Sequence, residues 1–175
     1  MAHGKPVTES PLPPSCWWDV HSQAGTGHWV PAEGDTARTL IRPLTQDYQV
    51  RAEQLFLITP FRDCAKELVG IARAMGLDWR RAGTIHTAQG READIVILVL
   101  GGGDQPGPKN WVAEKPNMLN VAVSRAKKRV YVIGNHADWR QRRYFDEAVR
   151  HLPVASPGGT RRKTVAGPQP AQKIR

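Results

Sequence analysis

The sequence predicts an α/β fold, a mostly parallel sheet with helices on both faces. Short apolar runs alternate with stretches of helical periodicity along the 175-residue chain, which is the pattern of such folds. One run, IVILVL at residues 95–100, is apolar at every position, as in a strand covered on both sides. Hydrophobic residues make up 40% and charged residues 23% of the chain, a balance typical of globular domains.

The first half of the predicted domain contains two strands and two helices. A short strand is possible at residues 16–20 (CWWDV), and LFLIT at 55–59 has the composition of a buried strand, stopped by Pro60. Apolar residues at i, i+3, i+4 and i+7 predict an amphipathic helix that closes before Asp47: Ala37, Leu40, Ile41 and Leu44. A second helical face precedes Gly76, a natural residue just after a helix end: Ala65, Leu68, Val69, Ala72 and Met75.

The second half continues the alternation around the central apolar run. Residues 83–87 (GTIHT) are a short strand candidate, and residues 101–110 form a loop rich in glycine and proline. A helix is expected at 116–124, where Pro116 is tolerated in the first turn. VYVI at 130–133 predicts another buried strand, and residues 138–152 predict a last helix.

Composition shifts divide the chain into three parts. Residues 1–15 are proline-rich and irregular, residues 16–153 form one domain, and residues 154–175 form a basic, disordered tail. The net charge is +9, and the tail carries five basic residues and no acid. Such a tail either holds phosphates loosely or is merely a solvated terminus.

Several classes of protein are excluded by composition. The two cysteines form no CxxC pair, and the six histidines show no ligand spacing, so neither a disulfide scaffold nor a metal site is expected. No apolar run approaches the roughly 18 residues of a membrane span, so no membrane partner is expected. The first residues contain no apolar core of a signal peptide, and a cytoplasmic location is therefore expected.

Polar and glycine residues follow the predicted strands, where ligands of parallel sheets usually bind. They include residues after three of the predicted strands: Thr59, Pro60, His86, Gln89, Gly90, Glu92, Asn135 and His136. We expect them to share one edge of the sheet, where a phosphate or a nucleic-acid strand can lie.

The segment TIHTAQGREAD at 84–94 has the composition of a ligand loop. Gly90 lets the backbone approach a ligand closely or adopt a positive φ. Glu92 can accept hydrogen bonds from a pair of sugar hydroxyls, and Thr84 and Thr87 can donate to phosphate oxygens. The alternative is a polar turn between two strands.

The segment NMLNVAVSRAKKR at 117–129 ends a predicted helix with basic residues. Asn120 and Ser124 lie four apart on one helical face, and Arg125 follows at the helix end. An arginine there suits a bidentate grip on a phosphate. The residues alone fit a surface arginine, or a partner for Asp94 or Glu92, at least as well.

Three segments resemble helicase motifs of superfamily 1. TIHTAQGREADIVILVL resembles motif V, PNMLNVAVSRAKKRVYVIGN resembles motif VI, and ITPF at 58–61 resembles motif IV. Their order and spacing are similar to those of the second RecA-like domain of superfamily 1B helicases, the group of the nonsense-mediated-decay helicase and senataxin. The resemblance covers residues 17–153, and GHWVPAEGD at 27–35 resembles the approach to this domain in bacterial members.

The resemblance implies a role for each motif residue in a motor that clamps ATP between two RecA-like domains. Arg125 would be the arginine finger on the γ-phosphate, Glu92 would contact the ribose, and Gln89 and Gly90 would lie near the nucleotide. Contacts with single-stranded DNA or RNA would come from motifs IV and V: Thr59, Pro60, Thr84, His86 and Thr87. Asn120 and Ser124 would fix the motif VI helix.

Two departures limit what the resemblance implies. Phe61 and Cys64 stand where motif IV usually has tyrosine and glutamine, although Phe61 still offers a stacking face. No GxxxxGK[ST] phosphate loop occurs, so ATP with Mg²⁺ is expected only in a complete motor with a first RecA-like domain. The alternatives are a free-standing, non-catalytic module that binds single-stranded nucleic acid and a truncated fragment.

Overall fold

The structure is a computed structural model that describes residues 12–103, 106–113, 116–142, 145 and 151–157. Its centre is a sheet of six strands: β1 (Cys16–Asp19), β2 (Leu55–Thr59), β3 (Ala82–Thr84), β4 (Ala93–Val99), β5 (Ala126–Gly134) and β6 (Val154–Ala155). The strand order is β3-β2-β4-β5-β1-β6, and every neighbouring pair is parallel. The predicted α/β class with a mostly parallel sheet is confirmed.

Helices cover both faces of the sheet, as predicted. Within the described residues they are α1 (Pro31–Gln46), α2 (Arg62–Ala74), α3 (Pro106–Ala113), α4 (Pro116–Ser124) and α5 (His136–Trp139). One core holds α1 and α2 against alternate strand residues such as Leu57 and Ile97. The other core packs α3, α4 and α5 against the strand residues that point to the opposite face of the sheet, such as Val96. Because both faces are covered, the strands are apolar at almost every position.

Three 3₁₀ turns enter or leave the strands, at Ala52–Gln54, Trp79–Arg81 and Ile85–Ala88. The last of them corrects the strand predicted at 83–87, since β3 ends at Thr84. Ile85 and Ala88 are buried in the core on the α4 side of the sheet. The turn forms because burying these two apolar side chains there outweighs continued pairing with β2.

Two other boundaries differ from the sequence prediction. The loop predicted at 101–110 is interrupted by α3, which begins at Pro106 because proline fits a first helical turn. β5 begins at Ala126 rather than Val130, and its pairing with β4 is irregular between Ala93 and Ile95. Lys127 and Lys128 therefore belong to a strand and not to a helix end.

The observed C-terminal elements also differ from the predicted ones. α5 stops at Trp139 and a turn follows, while much of the helix predicted at 138–152 lies outside the described residues. β6 pairs with Trp17 and Trp18, so the sheet includes two residues predicted as tail. The rest of the tail from residue 158 and residues 1–11 lie outside the described part. No helix among the described residues is long and apolar enough to span a membrane.

Candidate functional site

The predicted site residues lie at two opposite edges of the sheet. Thr59 and Thr84 pair in register at the carboxyl ends of β2 and β3. Glu92 and Arg125 instead directly precede β4 and β5, at the amino ends of those strands. The expectation that Glu92 lies at the carboxyl edge was therefore wrong. The reason is that residues 85–92 lead from the end of β3 back to the beginning of β4.

At the amino edge the two motif segments meet through a backbone hydrogen bond. The Ala93 N–H donates to the Arg125 carbonyl at 2.9 Å, so Glu92 and Arg125 flank a parallel strand pair. The Arg125 Nε is buried and has no hydrogen-bond partner among the described residues. An unpaired buried guanidinium nitrogen is costly, and a bound anion would relieve that cost.

The alternative of a carboxylate partner for Arg125 does not hold within the described residues. The Glu92 carboxylate lies 3.3 Å from Lys127 Nζ, and the Asp94 carboxylate lies 3.7 Å from Lys128 Nζ. The irregular start of β5 thus provides a lysine for each acid. Arg125 remains available for a ligand that this part of the chain does not supply.

The loop before Glu92 is open. Gly90 has a φ of +74°, a conformation that favours glycine, and no described residue beyond its chain neighbours comes within 4 Å of the place of a Cβ. Gln89 is exposed, and its backbone N–H donates to the His86 carbonyl at 3.1 Å. Of the two reasons given for Gly90, the positive φ is confirmed.

At the carboxyl edge, two of the residues predicted to contact a nucleic-acid strand are buried. The Thr59 side chain is fully buried, and its Oγ1 accepts the Phe61 N–H at 3.5 Å. Pro60 is also buried. In this conformation both residues are covered, and their contact with a nucleic-acid strand stays a prediction. Thr84 and Thr87 are partly exposed and His86 is exposed, so these three remain open to a ligand.

The two residues expected to fix the motif VI helix differ in their contacts. The Ser124 hydroxyl donates to the Val121 carbonyl at 3.0 Å and fastens the last turn of α4 beside Arg125. Asn120 is exposed, and its side chain has no hydrogen bond to another described residue. Only Ser124 therefore has a contact of the expected kind.

Sequence reasoning missed an aromatic stack at the carboxyl edge. The His28 ring stacks on Phe61 with ring centres 4.3 Å apart and planes 5° apart, so the face expected to be free is covered. The His28 backbone N–H donates to the Asp63 carboxylate at 2.7 Å, and the His28 Nδ1 lies 3.0 Å from the other oxygen of that carboxylate. The His28 side chain is 31% exposed, whereas Phe61 is buried. The segment GHWVPAEGD contains His28, but its sequence gives no sign of this stack.

A second missed feature is a buried acid behind the same edge. Glu33, in the first turn of α1, is 3% exposed and accepts the Gly101 N–H at 2.7 Å. Burial raises the pKa of Glu33 to about 8, although the hydrogen bond from Gly101 and the charge of Lys109 oppose the rise. Gly101 has a φ of +65°, and a Cβ there would lie 2.9 Å from the His28 carbonyl oxygen.

The family follows from a comparison of the sequence with known proteins. Residues 4–137 match the family model described as "AAA domain". The chain belongs to the AAA domain family. This AAA domain is of a kind found in superfamily 1 helicase-like proteins. It is similar to the NFX1-type zinc finger-containing protein 1 of Mus musculus, with 32% identity over 95 residues. That match covers 53% of this chain and 5% of the mouse protein, so the chain spans a small part of that relative.

No metal centre is evident in the described part of the AAA domain. Its histidine, cysteine, aspartate and glutamate side chains form no group of three or more that could hold an ion.

Asp63 is expected to stabilise the carboxyl edge of the AAA domain. Partial burial alone would raise its pKa, but the hydrogen bonds and charge of His28 hold the pKa below its ordinary value. Its contribution is therefore present above about pH 4 and is lost as the pH falls further. Replacing Asp63 with alanine should lower the free energy of unfolding by about 1–2 kcal/mol at neutral pH, since the carboxylate is partly exposed and screened.

Urea unfolding monitored by circular dichroism measures this loss. The matched control is Asp35→Ala, because Asp35 is 76% exposed and pairs with Arg38 on the surface of α1. Its effect should stay within about 0.5 kcal/mol. Equal losses from the two substitutions would contradict a special role for Asp63.

Proposed function

We propose that this AAA domain is the second RecA-like domain of a superfamily 1B helicase motor. In this proposal it supplies Arg125 as the arginine finger to ATP held by a first domain. The observation that supports it best is the backbone hydrogen bond between Ala93 and Arg125 at 2.9 Å. That bond brings the Glu92 and Arg125 motifs side by side, while the Arg125 Nε has no partner among the described residues.

The chemistry required of Arg125 is the stabilisation of charge during phosphoryl transfer. Its planar guanidinium offers a fork of donors to phosphate oxygens and stays charged at any physiological pH. An arginine finger of this kind accelerates transfer by about 10³–10⁵-fold. Glu92, whose side chain is 56% exposed, would accept hydrogen bonds from the ribose hydroxyls and exchange its contact with Lys127.

The nucleotide itself would be held mainly by the partner domain. This chain contains no phosphate loop with its lysine and Mg²⁺-binding hydroxyl. ATP with Mg²⁺ is therefore proposed as the substrate of the two-domain motor. Gln89 and Gly90 would line the nucleotide-binding cleft between the two domains. Single-stranded DNA or RNA would lie along the carboxyl edge, in contact with Thr84, His86 and Thr87.

The test compares the chain alone with the chain fused to a superfamily 1B first domain. The chain alone should hydrolyse ATP at no rate above background, because one of the two halves of the site is missing. The fusion should turn over ATP at about 1 s⁻¹ or more when single strands are present. Phosphate release measures both rates.

Two results would contradict the proposal. One is turnover near about 1 s⁻¹ by the chain alone, which would need a complete site within it. The other is a fusion that binds single strands without ever hydrolysing ATP. That second result would favour a passive strand-binding module.

A further inference from the structure

Two arginines outside the proposed finger meet over one aromatic ring. The guanidinium carbon of Arg81 lies 4.2 Å from the centre of the Phe56 ring, and that of Arg91 lies 5.6 Å from it. The Arg81 Nη2 donates to the Glu92 carbonyl at 2.9 Å, which fixes the guanidinium next to motif V. The Arg81 Nε is buried and has no hydrogen-bond partner among the described residues.

The acids around this pair are already engaged with other cations. Each has a basic partner within 4 Å: Glu53 with Arg51 at 2.9 Å, Asp78 with Arg80 at 3.0 Å, Glu92 with Lys127 at 3.3 Å and Asp94 with Lys128 at 3.7 Å. Neither Arg81 nor Arg91 has a carboxylate within 4 Å in the described part of the chain. Two positive charges are thus held close together with no carboxylate in direct contact with either of them.

This arrangement has a cost that an anion would remove. Burial and the nearby charge of Arg91 lower the pKa of Arg81, although the charges of Asp78 and Glu53 oppose this shift. Each guanidinium is planar, carries several donors and matches the geometry of phosphate oxygens. Gly90, the residue before Arg91, leaves the adjacent backbone open, since its Cβ position has no contact within 4 Å from the described part of the chain, its two neighbours aside.

We propose that Arg81 and Arg91, held over Phe56, form a phosphate-binding site at the amino edge of the sheet. The site goes beyond the proposed function, which uses Arg125 and Glu92 on the nucleotide. Its ligand is a phosphate group, from a nucleotide or from the backbone of a nucleic-acid strand. Both arginines lie over the Phe56 ring before a ligand binds, so little side-chain freedom is lost on binding.

The experiment titrates the full chain with pyrophosphate and follows the arginine Nε–H signals by nuclear magnetic resonance. The largest shifts should occur at Arg81 and Arg91. Arg91→Ala should weaken pyrophosphate binding at least about fivefold, because a bidentate donor is lost. Arg91 is exposed, so this variant should fold normally. The matched control is Arg42→Ala, which removes the same charge from an exposed position on α1.

Each outcome decides the proposal. It is overturned if the Arg81 and Arg91 signals do not move, or if Arg42→Ala weakens binding as much as Arg91→Ala does. ATP and a short oligothymidylate then identify the source of the phosphate. If only ATP shifts the Arg81 and Arg91 signals, the site binds nucleotides, and if only the oligothymidylate shifts them, it binds nucleic-acid strands. If neither compound shifts these signals, the site does not bind biological phosphates and the proposal fails.

The proposed finger and this site fail independently. Arg125→Ala should bind pyrophosphate as tightly as the unchanged chain at the Arg81 and Arg91 signals. If pyrophosphate shifts the Arg81 and Arg91 signals but Arg125→Ala does not lower turnover, the arginine-finger role is rejected and the phosphate site is kept. If pyrophosphate does not shift these signals but Arg125→Ala lowers turnover, the phosphate site alone is rejected.

Discussion

Replacing Arg125 with alanine in a motor with both RecA-like domains should lower ATP turnover by about 10³–10⁵-fold. The finger contributes mainly when charge develops on the transferring phosphoryl group, so ATP binding should change much less than turnover. The structure supports this expectation, because the Arg125 Nε is buried without a partner among the described residues. Steady-state phosphate release at saturating single strand and equilibrium binding of a fluorescent ATP analogue measure the two effects separately.

Two further variants sharpen this test. Arg125→Lys should also fail, because lysine keeps the charge but lacks the planar fork of donors. Arg42→Ala, an exposed arginine on α1, should keep turnover within about twofold of the unchanged motor. Turnover by Arg125→Ala within about tenfold of the unchanged motor would show that Arg125 is not the finger.

Replacing Glu33 with glutamine should stabilise the domain increasingly as the pH rises. The folded chain raises the Glu33 pKa from 4.5 to about 8, so folding favours the protonated carboxyl. The stability linked to this proton is present below about pH 4.5 and is lost as the pH rises through about 8. Glutamine is neutral throughout and can still accept the Gly101 N–H. The advantage of glutamine should grow by up to about 1.4 kcal/mol per pH unit in this window.

Urea unfolding at several pH values between about 5 and 8 measures the difference between the two proteins. The matched control is Glu53→Gln, since Glu53 is 60% exposed and pairs with Arg51 at the surface. The difference between this control and the unchanged chain should not depend on pH over the same range. If the stability difference between Glu33→Gln and the unchanged chain also did not depend on pH, burial would not raise the pKa of Glu33, and the prediction would be wrong.

Most of the fold could be predicted from the sequence because its elements depend on local patterns. β2 matches the predicted run at 55–59, and α4 matches the predicted helix at 116–124. Gly76 has a φ of +71°, as expected of a residue just after a helix. The errors fall where a tertiary contact overrides the local pattern. β3 is shorter than predicted because Ile85 and Ala88 pack against the sheet face instead of extending the strand.

The candidate site was predictable in its residue types but not in its arrangement. The motif strings mark Glu92 and Arg125, but their adjacency depends on the parallel pairing of β4 with β5. The sequence also gives no sign that Thr59 is fully buried or that Lys127 pairs with Glu92. These facts depend on residues far apart in the chain, and no periodicity within one segment carries them.

The sequence by itself determined the alternation of strands and helices, because apolar periodicity reflects which face of each element is buried. The motifs can also be identified from the sequence alone, because each of them is one continuous stretch of residues. Only the tertiary structure decided which edge of the sheet each motif occupies and which charges remain unpaired. The stack of His28 on Phe61 and the pair of Arg81 and Arg91 over Phe56 exist because packing joins separate segments. Such contacts are properties of the assembled core and not of any one stretch of chain.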